Sequence, residues 1–156
     1  MFAKVGENVY IEPPLHANWG GHFCQIGDQV YANYNLTLVD DTTITIGSNT
    51  MIGPNVTIAT AGHPILPELR EQAYQFNLPV TIGKNCWLGA GVIVLPGVTI
   101  GDNSVIGAGS LVTKDIPKNV IALGSPARVL RKINNYDRQF LSKNQEIDWA
   151  SLQSKK

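Results

Sequence analysis

The chain of 156 residues holds only two cysteines, Cys24 and Cys86, with no CxxC spacing between them. That excludes a disulfide framework, and two reduced thiols are expected. Charge of one sign is missing too: 12 Lys and Arg offset 12 Asp and Glu, for a formal net charge of zero. No overall basic field exists to hold nucleic acid or an anionic membrane, so neither is expected as a partner. There is no basic n-region followed by an apolar h-region, and no uninterrupted apolar run long enough to span a bilayer. A cytoplasmic protein is the expectation. Histidine is scarce; His16, His22 and His63 are the only three. The length suits one domain that buries its core without staples.

What the chain does have is a period of six. Ile82, Leu88, Val94, Ile100, Ile106 and Val112 fall at steps of six, and glycine follows four of them, at Gly83, Gly89, Gly101 and Gly107. Four positions after each aliphatic stand Cys86, Val92, Val98, Ser104, Ser110 and Ile116, all small or β-branched. The register recurs at Ile46, Ile52 and Ile58, and more loosely at Ile26, Ala32 and Leu38. A helix cannot use it, because six residues rotate by about 600° around a 3.6-residue turn and scatter the aliphatics. Short strands joined by tight corners can. The β-branched residues suit the pleat, and the glycines and Asn/Asp of "GDNS", "GKNC" and "GSNT" suit positive-φ corners. Three hexads close one triangular coil and stack like residues of successive coils into ladders, so the expected fold is an all-β parallel β-helix. The spacing predicts a β-helix domain over 1–133 and a helical tail over 134–156 that covers the open end of the prism, with its last few residues frayed.

The phrases "YANYNLTLVDD", "MIGPNVTIATAGHPI", "CWLGAGVIVLPGVTIGDNSVIGAGSLVTKDIP" and "GSPARVLRKI" add a resemblance. The chain is similar to the hexapeptide-repeat acyltransferases, and within them most like the galactoside and maltose O-acetyltransferases and their nodulation-protein relatives. The resemblance covers about Phe2 to Ile133. It implies a left-handed β-helix, a homotrimer with active sites between subunits, and acetyl-CoA as donor to a sugar hydroxyl by direct transfer. Relatives begin with a helical segment, and this chain starts where their β-helix begins.

Hexads alone offer smooth faces and no pocket, so the stretch from Pro64 to Pro79, which breaks the period, is the expected site builder. His63 stands where the last regular strand ends, with Pro64 biasing it toward extended backbone. Acyl transfer to a hydroxyl needs a base near neutral pH, a task suited to imidazole, and the family phrase "TAGHP" marks His63 for it. His16, His22 and His63 could also form a three-histidine zinc site, as in carbonic anhydrases on the same fold. The six-residue spacing of the first two places them on adjacent faces, and no metal is expected; His16 and His22 are then surface or cleft-lining residues.

The resemblance further implies acceptor contacts by Asn33, Asp41 and, in a segment one residue longer than its counterpart, Asn18. On the donor side it implies the Ala90 amide near the thioester carbonyl, Ala108 and Thr113 along the pantetheine arm, and Lys114, Arg128 and Arg131 as partners of the CoA phosphates. Read without the resemblance, these amides are corner ladders, Asp41 is a turn cap and the cations are solvated. Cys86 fills the small-residue slot of its hexad and is a core thiol, not an acyl carrier. Two alternatives stay open: a non-catalytic trimeric scaffold, and an acetyltransferase acting on an amine or another hydroxylated compound.

Overall fold

Every sixth residue turns inward because each hexad makes one short strand and one corner. In the computed structural model, which describes residues 1–153, these strands stack into three parallel sheets around a triangular prism. The first face runs Lys4–Val5, Cys24–Ile26, Ile44–Ile46, Val80–Ile82 and Thr99–Ile100. The second runs Tyr10–Ile11, Tyr31–Ala32, Met51–Ile52, Trp87–Leu88, Val105–Ile106 and Val120–Gly124, and the third runs Leu15–Ala17, Leu36–Val39, Thr57–Ala59, Ile93–Val94 and Leu111–Val112.

Registers confirm the ladders. Ile82 pairs Ile100, one coil of three hexads further on, and the same step joins Leu88 to Ile106 and Val94 to Val112. Val5 pairs Ile26 and Ile26 pairs Ile46, so the early coils run slightly longer than three hexads and their period reads less cleanly. Ile46 pairs Ile82, twice the regular step, because the excursion adds the length of a whole further coil. Ile58 closes the third face and Ile82 resumes on the first, so the chain leaves and rejoins the prism in register.

The inward aliphatics of the three ladders are almost wholly excluded from water. Corner residues fill the remaining volume: Val92 and Val98 are apolar, while Ser104 and Ser110 donate their hydroxyls to the carbonyls of Pro117 and Gly107 at 2.7 and 2.6 Å. A buried hydroxyl is tolerated because it is paired. Asn49, Asn85 and Asn103 take φ of 61, 53 and 60°, the left-handed conformation that asparagine adopts more readily than most residues. The glycine that opens each such corner serves another purpose. A Cβ on Gly83 would lie 2.6 Å from the Asp102 backbone nitrogen, so glycine there permits the close approach of successive coils.

The C-terminal end departs from the expected single helix. Ala127–Lys132 turns back and pairs antiparallel with Val120–Gly124, covering the edge of the second face with a strand. Beyond it, a 3-10 turn at Asn135–Arg138 and a short helix at Trp149–Gln153 flank a reversal where Lys143 and Asn144 both have positive φ. That reversal, with Phe140 bridged to Glu146, is incompatible with one continuous helix. The tail is tied down by Asp137, which accepts two 2.7 Å bonds from the Arg131 guanidinium and one from the Asn134 backbone. The end of the chain, where the last few residues are expected to fray, lies outside the described residues from 154 onward.

Two outcomes follow from this packing. Ile82→Ala removes a fully buried rung and should cost about 2–5 kcal/mol in urea unfolding, against a near-neutral effect for Lys84→Ala at the exposed corner that follows the strand. The Arg131 fork draws the Asp137 pKa from 3.8 down to about 2, so the stability of this contact is complete above pH 3.8 and lost as pH falls through about 2. The Trp149 indole donates to the Arg138 carbonyl, and its N–H resonance should therefore shift over that window; a signal unchanged to pH 2 would contradict the linkage.

Candidate active site

The excursion leaves the third face and is closed at its base by a small antiparallel ladder, Ala61 opposite Asn77 and Gly62 opposite Phe76. Within it, Pro67 starts the single helix Pro67–Glu71, where its missing N–H costs nothing. The Arg70 guanidinium donates to the carbonyls of Pro64 and Ile65, folding the arm onto itself. His63 thus sits at the joint between the rigid prism and the arm. Its Nδ1 is 2.9 Å from the Tyr74 carbonyl oxygen. A carbonyl can only accept, so Nδ1 carries the proton and the neutral ring keeps its lone pair on Nε2. The ring is exposed and can meet a substrate.

The same corner holds Asp41, the carboxylate expected on the acceptor side. Asp41 accepts from the Asn18 side-chain amide at 3.0 Å on one oxygen and from the Gln75 amide at 3.1 Å on the other. Partial burial pushes its pKa up, but the bonds from Asn18, Gln75 and Trp19 outweigh that, and the net direction is below the ordinary carboxylate value. Beside it, the buried Asp40 accepts from the Trp19 backbone N–H at 2.9 Å and holds that turn against the prism. A cleft of about 510 Å³ lies here, lined by Trp19, His22, Phe23, Asp41, Gln75 and Asn77. Aromatic rings beside amides and a carboxylate suit a polyhydroxylated ligand.

Asn33 is not brought to this place. It lies at the corner between the second and third faces, where its side-chain oxygen accepts from the Tyr34 backbone N–H. Ala90 and Ala108 stack along that corner, each exposed, and neither backbone N–H has an acceptor among the described residues. Thr113 and Lys114 return to the corner of His63, between the third and first faces. Arg128 and Arg131 stand on the terminal strand. Arg131 is engaged with Asp137, while Lys114 is exposed and Arg128 donates only to the Ala127 carbonyl among the described residues. Apart from these two arginines, the sequence-marked residues therefore fall into two sets on two different corners.

Neither cysteine is placed for chemistry. Burial, helped by the Asp40 carboxylate, pushes the Cys24 thiol up to about 12, and burial also raises Cys86. His16 lies on a third-face strand and His22 in the turn before Phe23, and no cluster of three or more metal-ligating side chains occurs among the described residues. Two contributors escaped the sequence reading, Tyr74 and Gln75. They sit in an irregular loop where no period or motif marks them.

Comparison with known proteins agrees with this architecture. A family model for the bacterial transferase hexapeptide (six repeats) matches residues 79–114. The chain is 59% identical over 148 residues to a galactoside O-acetyltransferase of Lactococcus lactis, covering 95% of this chain and 72% of the relative. It superposes with a TM-score of 0.93 and 53% identity on a galactoside acetyltransferase solved in complex with coenzyme A, over 95% of this chain and 74% of that one. A maltose O-acetyltransferase of Clostridium difficile gives a TM-score of 0.83 at 47% identity, over 85% and 71% of the two chains. By fold and by identity over nearly its whole length, this chain belongs to the hexapeptide-repeat acetyltransferases, with their left-handed β-helix.

Proposed function

We propose that the protein transfers an acetyl group from acetyl-CoA to a hydroxyl of a sugar, with His63 as the general base. The observation that carries the assignment is the bond from His63 Nδ1–H to the Tyr74 carbonyl, which leaves Nε2 as the free acceptor at the joint. Nε2 takes the hydroxyl proton as that oxygen attacks the thioester carbonyl. The carbonyl oxygen gains negative charge, which an unpaired backbone N–H such as that of Ala90 can stabilise. The C–S bond then breaks, and the proton held on His63 passes to the departing sulfur. Asp41 and Asn18 hold acceptor hydroxyls; Asp41 keeps lone pairs for them, since two amides use only part of a carboxylate's capacity. Lys114 and Arg128 are the cations assigned to the CoA phosphates, with Thr113 and Ala108 along the arm.

The active unit we propose is a homotrimer. Asn33, Ala90 and Ala108 lie on one corner and His63, Asp41, Thr113 and Lys114 on another, so head-to-tail packing around a threefold axis would join the corner of one subunit to the excursion of the next. Exposed apolar surface supports the same assembly: Tyr10, Tyr31, Met51 and Trp87 form an outward ladder on the second face, and Ile65, Leu66 and Leu78 are exposed on the excursion. Among the described residues no helix is long and apolar enough to cross a membrane, and we place the enzyme in the cytoplasm, where acetyl-CoA is made available to it.

His63→Ala should lower turnover at least about a hundredfold, read as CoA thiol release across galactosides, glucosides, maltose and amine acceptors; near-normal release would sink the assignment. If sites are shared, mixing inactive His63→Ala and Asn33→Ala chains by unfolding and reassembly should restore roughly a quarter of the sites. Two variants that stay dead after mixing would argue for sites complete within one chain.

A further inference from the structure

The dipeptide Tyr74–Gln75 touches both halves of the acceptor site. The Tyr74 carbonyl accepts from His63 Nδ1–H at 2.9 Å. The adjacent Gln75 side-chain nitrogen lies 3.1 Å from Asp41 Oδ1 and 2.8 Å from Asn77 Oδ1. One amide group, with two N–H donors, thus ties the returning strand of the excursion to a carboxylate on the prism. The dipeptide has little freedom to do otherwise. Ala73 before it takes φ of 58°, a left-handed conformation that ends the short helix, and the Tyr74 N–H donates to the Leu69 carbonyl. After it, Phe76 and Asn77 are paired to Gly62 and Ala61, the residues leading into His63.

We propose that Gln75 is a positioning residue of the acceptor site, clamping the excursion to Asp41 so that the acceptor carboxylate and the base His63 are held as one unit. The inference rests on the reading of Asp41 as an acceptor contact. Without the Gln75 amide, Asp41 keeps its bonds from Asn18 and Trp19, both of the prism, and the base of the excursion loses its side-chain link to the prism at that carboxylate. Gln75 is exposed and belongs to none of the prism strands, so its replacement leaves the prism ladders intact.

The test is steady-state kinetics of Gln75→Met, close in length but without donors, of Gln75→Glu, and of each in an Asp41→Asn background. Gln75→Met should raise the acceptor KM about tenfold, the usual effect of losing a hydrogen bond to a charged group, with the acetyl-CoA KM within twofold of the parent. Gln75→Glu should lose more, because it sets a second carboxylate against Asp41. In the Asp41→Asn background Gln75→Met should add less than a twofold further effect, since the partner it acts through is already altered. A normal acceptor KM in Gln75→Met, beside an impaired Asp41→Asn, overturns the inference alone. Equal losses toward both substrates with a lowered melting temperature also overturn it, as the mark of a merely structural residue. An Asp41→Asn enzyme with unchanged kinetics instead removes the reading of Asp41 on which the inference stands.

Discussion

Successive coils of this prism sit one strand spacing apart, about 4.8 Å, and that distance disciplines the rest of the molecule. Each backbone must be hydrogen-bonded above and below, so every coil has to return to the same three faces. Side chains at the corners must be absent, small or turned outward where coils touch. Gly83 shows the requirement most directly, since any Cβ there would meet the backbone of Asp102. The inward aliphatics then stack on themselves, and burial of their columns supplies the main stabilising term. A scaffold held this way has little freedom to move a side chain, which suits it to fixing reacting groups and unsuits it to making a pocket.

The pocket therefore depends on an addition that leaves the discipline unbroken. Between Ile58 and Ile82 the excursion inserts the length of one whole coil, and the chain resumes on the next face. Its own helix buries nothing among the described residues, so its geometry comes from contacts at its base: the ladder at Ala61 and Gly62, the Arg70 bonds, and the amide of Gln75. His63 lies at that base, where the order imposed by the prism is still felt. Farther out on the arm, fewer bonds would hold it.

Legibility followed the same division. The coils from Ile82 to Val112 could be read residue by residue, because a coil of three whole hexads repeats every constraint without exception. The slightly longer coils before Ile46 blur the hexads, since the extra residues fall in corners and shift the count. The position of His63 at the base of the arm was legible from its place at the break. Gln75 was not, because its partners Asp41 and Asn77 are set by the path of the arm and not by any period. The tail misled for a related reason: helix-forming composition says nothing of the reversal at Lys143 and Asn144, nor of the strand Ala127–Lys132 that covers the sheet edge.

The separation of the marked residues onto two corners bears on why such a scaffold would work as an assembly. A straight prism cannot bend the corner between its second and third faces toward the corner between its third and first, so residues on both can act together only across a boundary between copies. An arm with exposed Ile65 and Leu66, leaving one corner, is suited to reach such a boundary, and the outward aromatics of the second face offer it an apolar surface. In the proposed assembly, the rigidity that keeps the two corners apart is the same property that would make a shared site reproducible. In the proposed homotrimer each subunit would present its corner in one geometry, and the threefold axis would repeat that geometry without further adjustment.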